Sequence, residues 1–472
     1  MAEKSGLSPL VRGIICLLIL AIIWFIPNPE GVSVEAWRLL AIFVATIAGL
    51  ILQPIPMGAV VLLGMIMTVL FNVRTIGEAL SGFSNGVVWL IVMAFLLARG
   101  FIKTGLGRRI AFLMIRAFGK TTLGLGYAIV ISDLIIAPAT PSNTARAGGI
   151  LFPIVRSLSA SYDSEPGPTS RKIGAYLMQT EFQGTCITSA MFLTAMAGNP
   201  LVAELASDVL GIQLTWGSWA LAALVPGLIS LAVIPYLLYR VYPPEIKSSP
   251  EAPQIANKEL EDMGPMKLTE KVMLAVFIIA VALWATAQFH GLNATTVAIL
   301  GVSLLLVSGV LAWNDVLSEK GAWDALIWFG GLVMMAGALN TLGLIDWFSG
   351  VVASSVAGWS WVAAFLVMIL VYVYSHYGFA SLTAHITAMF IPFATVAVLA
   401  GTPPYLAALS LGFFSNLNAS ITHYGTGPAP IYFGAGYVDM GAWWKLGFLV
   451  SVVNLVIWLG AGSIWWRILG LW

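Results

Sequence analysis

The sequence predicts an all-α integral membrane protein, with about eleven transmembrane helices plus two re-entrant helical hairpins in an inverted-topology repeat. Three observations carry that prediction. Of the 472 residues, 59% are apolar and 9% charged; soluble domains carry about 25% charge, so this chain could not cover a water-facing surface. Its apolar runs are continuous and about 20 residues long, the length of a spanning helix, with none of the alternation of a β-barrel strand. Finally, residues in the two halves match at a constant offset. The same composition excludes a cytosolic enzyme, a disordered scaffold and, at a net charge of +1, a nucleic-acid binder. Cys16 and Cys186 sit inside apolar runs, so neither a disulfide framework nor a cysteine metal site is implied.

Spans are expected near 13–27, 36–52, 57–72, 85–103, 172–207, 216–239, 271–289, 294–312, 323–345, 404–436 and 441–466. The first is preceded by Lys4 and Arg12, as in a signal peptide. Pro27-Asn28-Pro29-Glu30 follows it without a small-residue cleavage pattern, so the span is read as retained. Orientation follows from Lys and Arg. An N-terminus inside puts Lys103, Arg108, Arg109, Arg116, Lys120, Arg156, Arg171, Lys172, Arg240, Lys247, Lys258, Lys267, Lys271, Lys320 and Lys445 on the cytoplasmic side. Arg38, Arg74 and Arg467 then lie outside, with the C-terminus. This asymmetry holds if the apolar stretches 122–155 and 362–398 each begin and end on one side. Each arm of about 14 residues reaches about 21 Å, enough for the bilayer midplane but not to cross. Hence 122–155 reads as a cytoplasmic-side hairpin and 362–398 as an outside hairpin.

The division of the chain follows. Residues 1–84 are N-terminal scaffold spans. Residues 85–240 form the first inverted repeat, with hairpin 122–155 and a broken helix 172–207. A polar cytoplasmic linker covers 241–270, and 271–322 are scaffold spans. Residues 323–472 are the second inverted repeat, with hairpin 362–398, a broken helix 404–436 and the last span. Trp465, Trp466 and Trp472 read as an interfacial belt.

At an offset of 239, Ser142 matches Ser381, Thr144 matches Thr383, Ala145 matches Ala384, Pro153 matches Pro392, Trp89 matches Trp328, and Arg146 falls opposite His385. At an offset of 228, Thr194 and Pro200 match Thr422 and Pro428. The span before the first hairpin runs outside to inside and its counterpart at 323–345 the reverse. Inverted repeats with paired hairpins and interrupted helices are the architecture of a secondary transporter with a midplane site.

Each hairpin tip is rich in helix-capping residues: Thr140-Pro141-Ser142-Asn143-Thr144 in one, Ser381-Leu382-Thr383 in the other. The returning arm would start there, aiming free backbone N–H groups and a positive dipole end at the midplane, where an anion could bind. A purely capping role uses the same groups, and the two readings are not exclusive. The sequences Ala197-Gly198-Asn199-Pro200 and Gly425-Thr426-Gly427-Pro428 read as helix breaks lining the site; a plain proline kink is the alternative. The candidate substrate-binding residues are therefore Ser142, Asn143, Thr144, Asn199, Pro200, Ser381, Thr383, Thr426, Gly427 and Pro428. Arg146 and His385 are intramembrane titratable groups just past the tips. Arg146 needs an anion, either substrate or a protein acid, Glu181 or Asp133. His385 and His423, one residue after Thr422, could each be satisfied locally, and His376 and His290 read as structural or interfacial.

Here the chain resembles the divalent anion/sodium symporter family (DASS, INDY-like) over nearly its whole length. The resemblance rests on Ser142-Asn143-Thr144, on Ser-Gly-Phe-Ser-Asn at 81–85, on Lys-Thr-Gly-Leu-Gly-Arg-Arg-Ile at 103–110, and on Ala-Pro-Ala-Thr-Pro-Ser-Asn-Thr-Ala-Arg at 137–146. Tyr-Gly-Thr-Gly-Pro-Ala-Pro-Ile-Tyr-Phe-Gly-Ala-Gly-Tyr at 424–437 adds to it. These are similar to the exchanger branch, which includes bacterial tartrate/succinate and citrate/succinate antiporters and the plastid 2-oxoglutarate/malate translocator. The resemblance implies an elevator-type homodimer with scaffold and transport domains, and a substrate site lined by both tips and both breaks. It departs at Ser381-Leu382-Thr383, where the family's second signature has Asn in place of Leu382. In sodium-coupled members cations sit beside the tips; here Arg146 and His385 stand there, as charge compensation in place of sodium.

The expected function is sodium-independent exchange of di- or tricarboxylates, such as 2-oxoglutarate, malate or succinate. A fixed Arg146 cannot leave with substrate, and without one it would be an undercompensated buried charge that slows return of the empty carrier. His385 would add pH dependence. No enzymatic activity, no metal and no cofactor are expected, sodium entering only if the alternative, a sodium-coupled dicarboxylate symporter on the same fold, holds. An anion channel would need rings of like charge, and none is evident. The expected setting is a bacterial plasma (inner) membrane, with dicarboxylates, lipid and a second copy of the chain as partners, and no nucleic acid.

Overall fold

The computed structural model describes residues 8–356, 358 and 360–472; Lys4 lies outside them. Among the described residues the fold is helical, with a single isolated β-bridge between Thr121 and Ser248. In chain order the long helices are Pro9–Phe25, Val34–Leu52, Met57–Leu70, Gly86–Thr104, Thr122–Ile136, Gly174–Met191, Trp216–Val241, Leu268–Ala285, Ala294–Val307, Lys320–Thr341, Trp361–Ser375, Leu382–Leu399, Pro404–Leu417 and Met440–Val456. Composition explains their length and caps explain their ends. Ser8, Ser33, Asn85, Thr121, Thr215, Asn293, Ser360, Ser381 and Asp439 each accept a backbone N–H from the first turn they open. Such a cap stabilises a helix by about 1 kcal/mol. At Gly105 the chain takes a left-handed φ of +78° and turns from Gly86–Thr104 into the short helix Leu106–Phe118; a side chain there would be strained.

The first helix is part of the fold. Arg12 donates to the Leu52 carbonyl at 3.1 Å, and Trp37 Nε1 bridges the Ile23 and Ile26 carbonyls. The two hairpins close on themselves. Thr122 N–H donates to the Lys247 carbonyl at 3.1 Å, and Tyr162, beyond the returning arm, donates to Glu251 at 3.4 Å, so one linker holds both feet of the first. In the second, Gly401 abuts Trp361, bringing the end of the hairpin back to its start. A helix needs a buried partner for every apolar stripe. Gly174–Met191 has no stripe, because every one of its residues is buried; it is the axis around which the first hairpin, Trp216–Val241 and Pro404–Leu417 pack.

Basic loops gather on one face. The linker is more than a tether: it contains the helix Ala252–Met263 and is sewn to the first half. Glu245 and Ile246 N–H groups donate to the Arg171 and Lys172 carbonyls, Ser249 N–H donates to the Lys120 carbonyl, and Arg108 pairs with Glu259 at 2.5 Å. Lys103 pairs with Asp315 at 2.5 Å on the same face. Arg109, 7% exposed, makes a two-point bond to Glu270 at 2.8 and 3.1 Å. On another side of the molecule, Arg74 reaches Glu35 and Glu78, each at 3.4 Å. One of the three C-terminal tryptophans differs from expectation. Trp466 is 1% exposed and donates to the Ala222 carbonyl at 2.8 Å, so it is a core residue, not part of an interfacial belt.

Breaking a buried ion pair from one side leaves the other charge stranded, at about 3–5 kcal/mol. Arg109→Ala is therefore expected to lower the thermal unfolding midpoint in detergent clearly. The double change Arg109→Leu with Glu270→Leu should recover most of the loss. An unchanged midpoint for the single variant would deny the pair any structural weight.

Candidate substrate site

The two hairpin tips have the same backbone design. In the first, Ser142 Oγ accepts from the Ala145 N–H at 3.1 Å and the Ser142 carbonyl accepts from the Arg146 N–H at 3.0 Å. In the second, Ser381 Oγ accepts from the Ala384 N–H at 3.4 Å and the Ser381 carbonyl accepts from the His385 N–H at 3.1 Å. The sequence offset is thus an offset of hydrogen bonds. The returning arms differ: Leu382–Leu399 is α-helical, whereas Thr144–Leu151, with Gly148-Gly149 inside it, is π-helical before an α-helix resumes at Phe152. No sequence signal marked the π segment, a form that recurs at functional sites.

The breaks lie earlier than the sequence suggested. Irregular backbone covers 192–197 and 422–427. Pro200 is the third residue of the helix Gly198–Leu210, and Pro428 the first of Pro428–Gly434. First-turn N–H groups have no intrahelical acceptor, so these prolines start helices and do not break them. Asn199 is buried, and its amide donates to the Ser189 and Phe192 carbonyls at 2.8 and 2.9 Å, tying the second half-helix back onto the first. Its oxygen accepts from Asn416 at 2.7 Å. Asn199 and Pro200 therefore shape the break from within the core and do not reach the accessible surface.

The remaining candidates come together across the repeat. Asn143 Nδ2 donates to Thr426 Oγ1 at 2.9 Å. Gly427 packs so closely on Thr144 that any Cβ there would collide with the threonine hydroxyl. His376, at the turn of the second hairpin, contacts the Gly425 carbonyl through Nε2 at 3.0 Å, and Tyr424 donates to the Tyr377 carbonyl at 2.9 Å. Both tips thus converge on the second break. Ser142, Asn143, Thr144, Ser381 and Thr383 are half-buried and Gly427 is exposed, so polar groups of both tips face open space, while Leu382 turns into the core.

Arg146 is wholly enclosed. Nε donates to Asp133 at 2.8 Å; Nη1 donates to the Thr140 and Ala195 carbonyls, both at 2.9 Å; and Nη2 donates to Thr185, Thr188 and Ser189. One side chain thereby fixes the descending arm, the tip, the first break and the central helix to each other. Two consequences correct the sequence reading. Its donors are spent on protein, so it does not touch substrate in this conformation. Its charge is matched by Asp133, which also accepts from Thr188, so the carrier without substrate holds no stranded cation here.

His385 occupies the equivalent place with different chemistry. Nε2 lies 3.1 Å from the Tyr372 carbonyl and 3.0 Å from Ser375 Oγ, and Nδ1 lies 3.4 Å from the Asn418 amide nitrogen. A carbonyl at one nitrogen and an amide N–H at the other suit a neutral ring protonated on Nε2. Among the described residues no acid pairs with it, so His385 is not a counterpart to the Arg146–Asp133 ion pair. Asp133 and Tyr372 are themselves separated by 239, and each supplies the acceptor for the residue past its tip. Extending the repeat by that one pair would have singled out Asp133. His376, Asn416 and Asn418 left no such signal.

Two clefts lie further out. One, of about 350 Å³, opens between the half-helix Gly198–Leu210 and the helix Lys320–Thr341 and is lined by Arg74, Asn85, Glu204, Asp208 and Thr341; the other, of about 480 Å³, lies beside the returning arm of the first hairpin and is lined by Arg108, Phe112, Gly149, Ile154 and Glu259. Among the described residues no group of three or more His, Cys, Asp or Glu could hold a metal ion.

Known proteins place this architecture. The family described as sodium:sulfate symporter transmembrane region matches residues 8–472. Dicarboxylate transporter 1, chloroplastic, of Spinacia oleracea is 53% identical over 100% of this chain and 83% of its own length. The Arabidopsis thaliana protein of the same name is 51% identical over 100% of this chain and 84% of its own. The inner membrane protein YbhI of Escherichia coli (strain K12) is 42% identical, covering 97% of each chain. Among solved structures, the Alcanivorax borkumensis YdaH transporter superposes with a TM-score of 0.56 over 98% of both chains at 13% identity, a likeness of fold alone. The chain is therefore a multi-pass membrane transporter, not an enzyme, and it belongs to the sodium:sulfate symporter family of divalent anion transporters.

Proposed function

We propose that this protein exchanges dicarboxylates of the 2-oxoglutarate, malate and succinate type across a bacterial inner membrane without sodium. Relatives at about half identity are named dicarboxylate transporters, which supports the substrate class. The observation that carries sodium independence is Arg146 Nη1. It occupies two backbone carbonyls, Thr140 at the tip and Ala195 at the break, of the kind a bound cation would otherwise take from irregular backbone. A permanent cation with its own counter-ion replaces a mobile one, and nothing is left to co-transport.

The dianion is then held by neutral groups. The half-buried Ser142, Asn143, Thr144, Ser381 and Thr383, with the amides of the two arm starts, offer donors aimed from two sides, and the helix N-termini favour negative charge. Exchange, in place of net uptake, follows from desolvation. A transport domain sliding past an apolar scaffold with unfilled donors leaves each unsatisfied, at about 1–3 kcal/mol; a bound dicarboxylate satisfies several together. In this reading the hairpins, broken helices, Trp216–Val241 and Met440–Val456 move as an elevator body. The helices at 9–104 and 268–341 form the scaffold of a homodimer, with eleven spans, the N-terminus and the linker in the cytoplasm and the C-terminus outside.

Radiolabelled succinate uptake into proteoliposomes tests the function directly. Uptake is expected into vesicles preloaded with unlabelled dicarboxylate, at the same rate in sodium and in potassium. Uptake into empty vesicles driven by a sodium gradient would replace this reading with symport. Arg146→Ala strands Asp133 in the core, a loss of about 3–5 kcal/mol, and should abolish exchange and lower the unfolding midpoint together. Wild-type exchange in that variant would sink the assigned role. Gly427→Ala must displace Thr144 and is expected to raise the substrate KM several-fold with little change in unfolding temperature; an unaltered KM would detach the second break from the site.

A further inference from the structure

Around Arg146 of the returning arm, the descending arm supplies one acid, Asp133, and the central helix a second, Glu181. Asp133 is paired. Glu181, one turn before Thr185 on the fully buried Gly174–Met191 helix, is not: it is 0% exposed, and neither carboxylate oxygen has a hydrogen-bond partner among the described residues. The charged and titratable groups that face it are Asp133 and Arg146 of the first hairpin, Tyr432 of the second broken helix and Cys186 of its own helix. None of these can serve it. Every nitrogen of Arg146 is committed elsewhere, and the Tyr432 hydroxyl donates to the Ala147 carbonyl at 2.9 Å. An ionised carboxylate with no donor, inside a membrane protein, is among the costliest arrangements a fold can hold.

We infer that Glu181 is a proton-binding site: its carboxyl is carried in the protonated form, and the bound proton keeps the core of the substrate-binding half electrically neutral. With that proton the local charge is Arg146 against Asp133, which sums to zero. Loss of the proton adds a negative charge to the group of Asp133 and Arg146, the latter two residues past the tip at Ser142-Asn143-Thr144 where a dianion is to bind, in a medium that screens weakly. Proton and dicarboxylate therefore favour each other's binding. By linkage, substrate affinity is full while Glu181 is protonated and falls as pH rises and the proton leaves. This consequence for transport rests on the exchange reading above; the protonation itself does not.

The test is Glu181→Gln, which keeps shape and removes the charge at every pH. Infrared spectra of the protein in lipid vesicles at neutral pH should contain a protonated-carboxyl C=O band that shifts in deuterated water, and the wild-type minus Glu181→Gln difference should isolate it. In proteoliposomes, wild-type succinate exchange should fall at alkaline pH through a rise in KM, and Glu181→Gln should lose that dependence while matching wild type at neutral pH. A wild-type spectrum lacking the band, or a band that persists in Glu181→Gln, overturns the proton site. A band that behaves as expected with an alkaline KM rise identical in both proteins overturns the coupling to substrate. Because the infrared signal needs no transport, a failure of the exchange reading leaves the proton site separately judged.

Discussion

The guanidinium of Arg146 is the constraint on which the site depends. Six protein groups from four segments, the descending arm, the tip, the central helix and the first break, accept its hydrogen bonds. A buried arginine is tolerable only when its charge is matched and its fork of donors filled. Satisfying it therefore dictates where those segments sit. The tip cannot withdraw from the first break without stripping one of the two carbonyls from Nη1, so hairpin and broken helix are tied into one piece. Rigidity of that piece is what a carrier with alternating access needs, since a site that deforms in transit would lose its ligand.

The second half solves the same geometric problem without a charge. His385 stands where Arg146 does and uses the Tyr372 carbonyl, Ser375 and Asn418. Its ring packs against Tyr372 and edge-on to His376, whose Nε2 reaches the second break at Gly425. The tie between hairpin and break is thus preserved through a chain of two imidazoles in place of one guanidinium. Repeats that once shared a design have kept the architecture and divided the electrostatics. The asymmetry leaves the first half with a buried ion pair and the second with buried neutral polar groups such as His385, Asn416 and Asn418, with Leu382 turned inward.

Outside the site, the division of labour is between faces. Ion pairs that link the first half to the linker and to the following spans, such as Arg109 with Glu270 and Arg108 with Glu259, lie on the face where the basic loops gather. Contacts across the repeat, such as Asn143 with Thr426 and Asn416 with Asn199, are neutral hydrogen bonds near the middle. Ion pairs at the linker and neutral bonds between the halves follow one rule: an ion pair needs solvent or a full set of hydrogen bonds, and an amide pair needs neither.

The amino-acid order alone specified a great deal. Helix positions followed from apolar runs, because a bilayer-spanning helix must be continuous and apolar. The tips followed from the repeat at Ser142 and Ser381, because capping is a local matter of a hydroxyl and the N–H three residues on. What stayed hidden depended on partners distant in the chain. The sequence marked Pro200 and Pro428 as helix breakers, and only their placement in a first turn made them helix starters. It offered Asp133 and Glu181 equally as partners for Arg146; the tertiary structure paired one and isolated the other. It left open whether His385 is charged, and packing against a carbonyl and an amide answered that. Local backbone preference and membrane solvation act over a few residues and can be read along the chain. Which buried charge is matched is decided by side chains that meet only after the chain has folded.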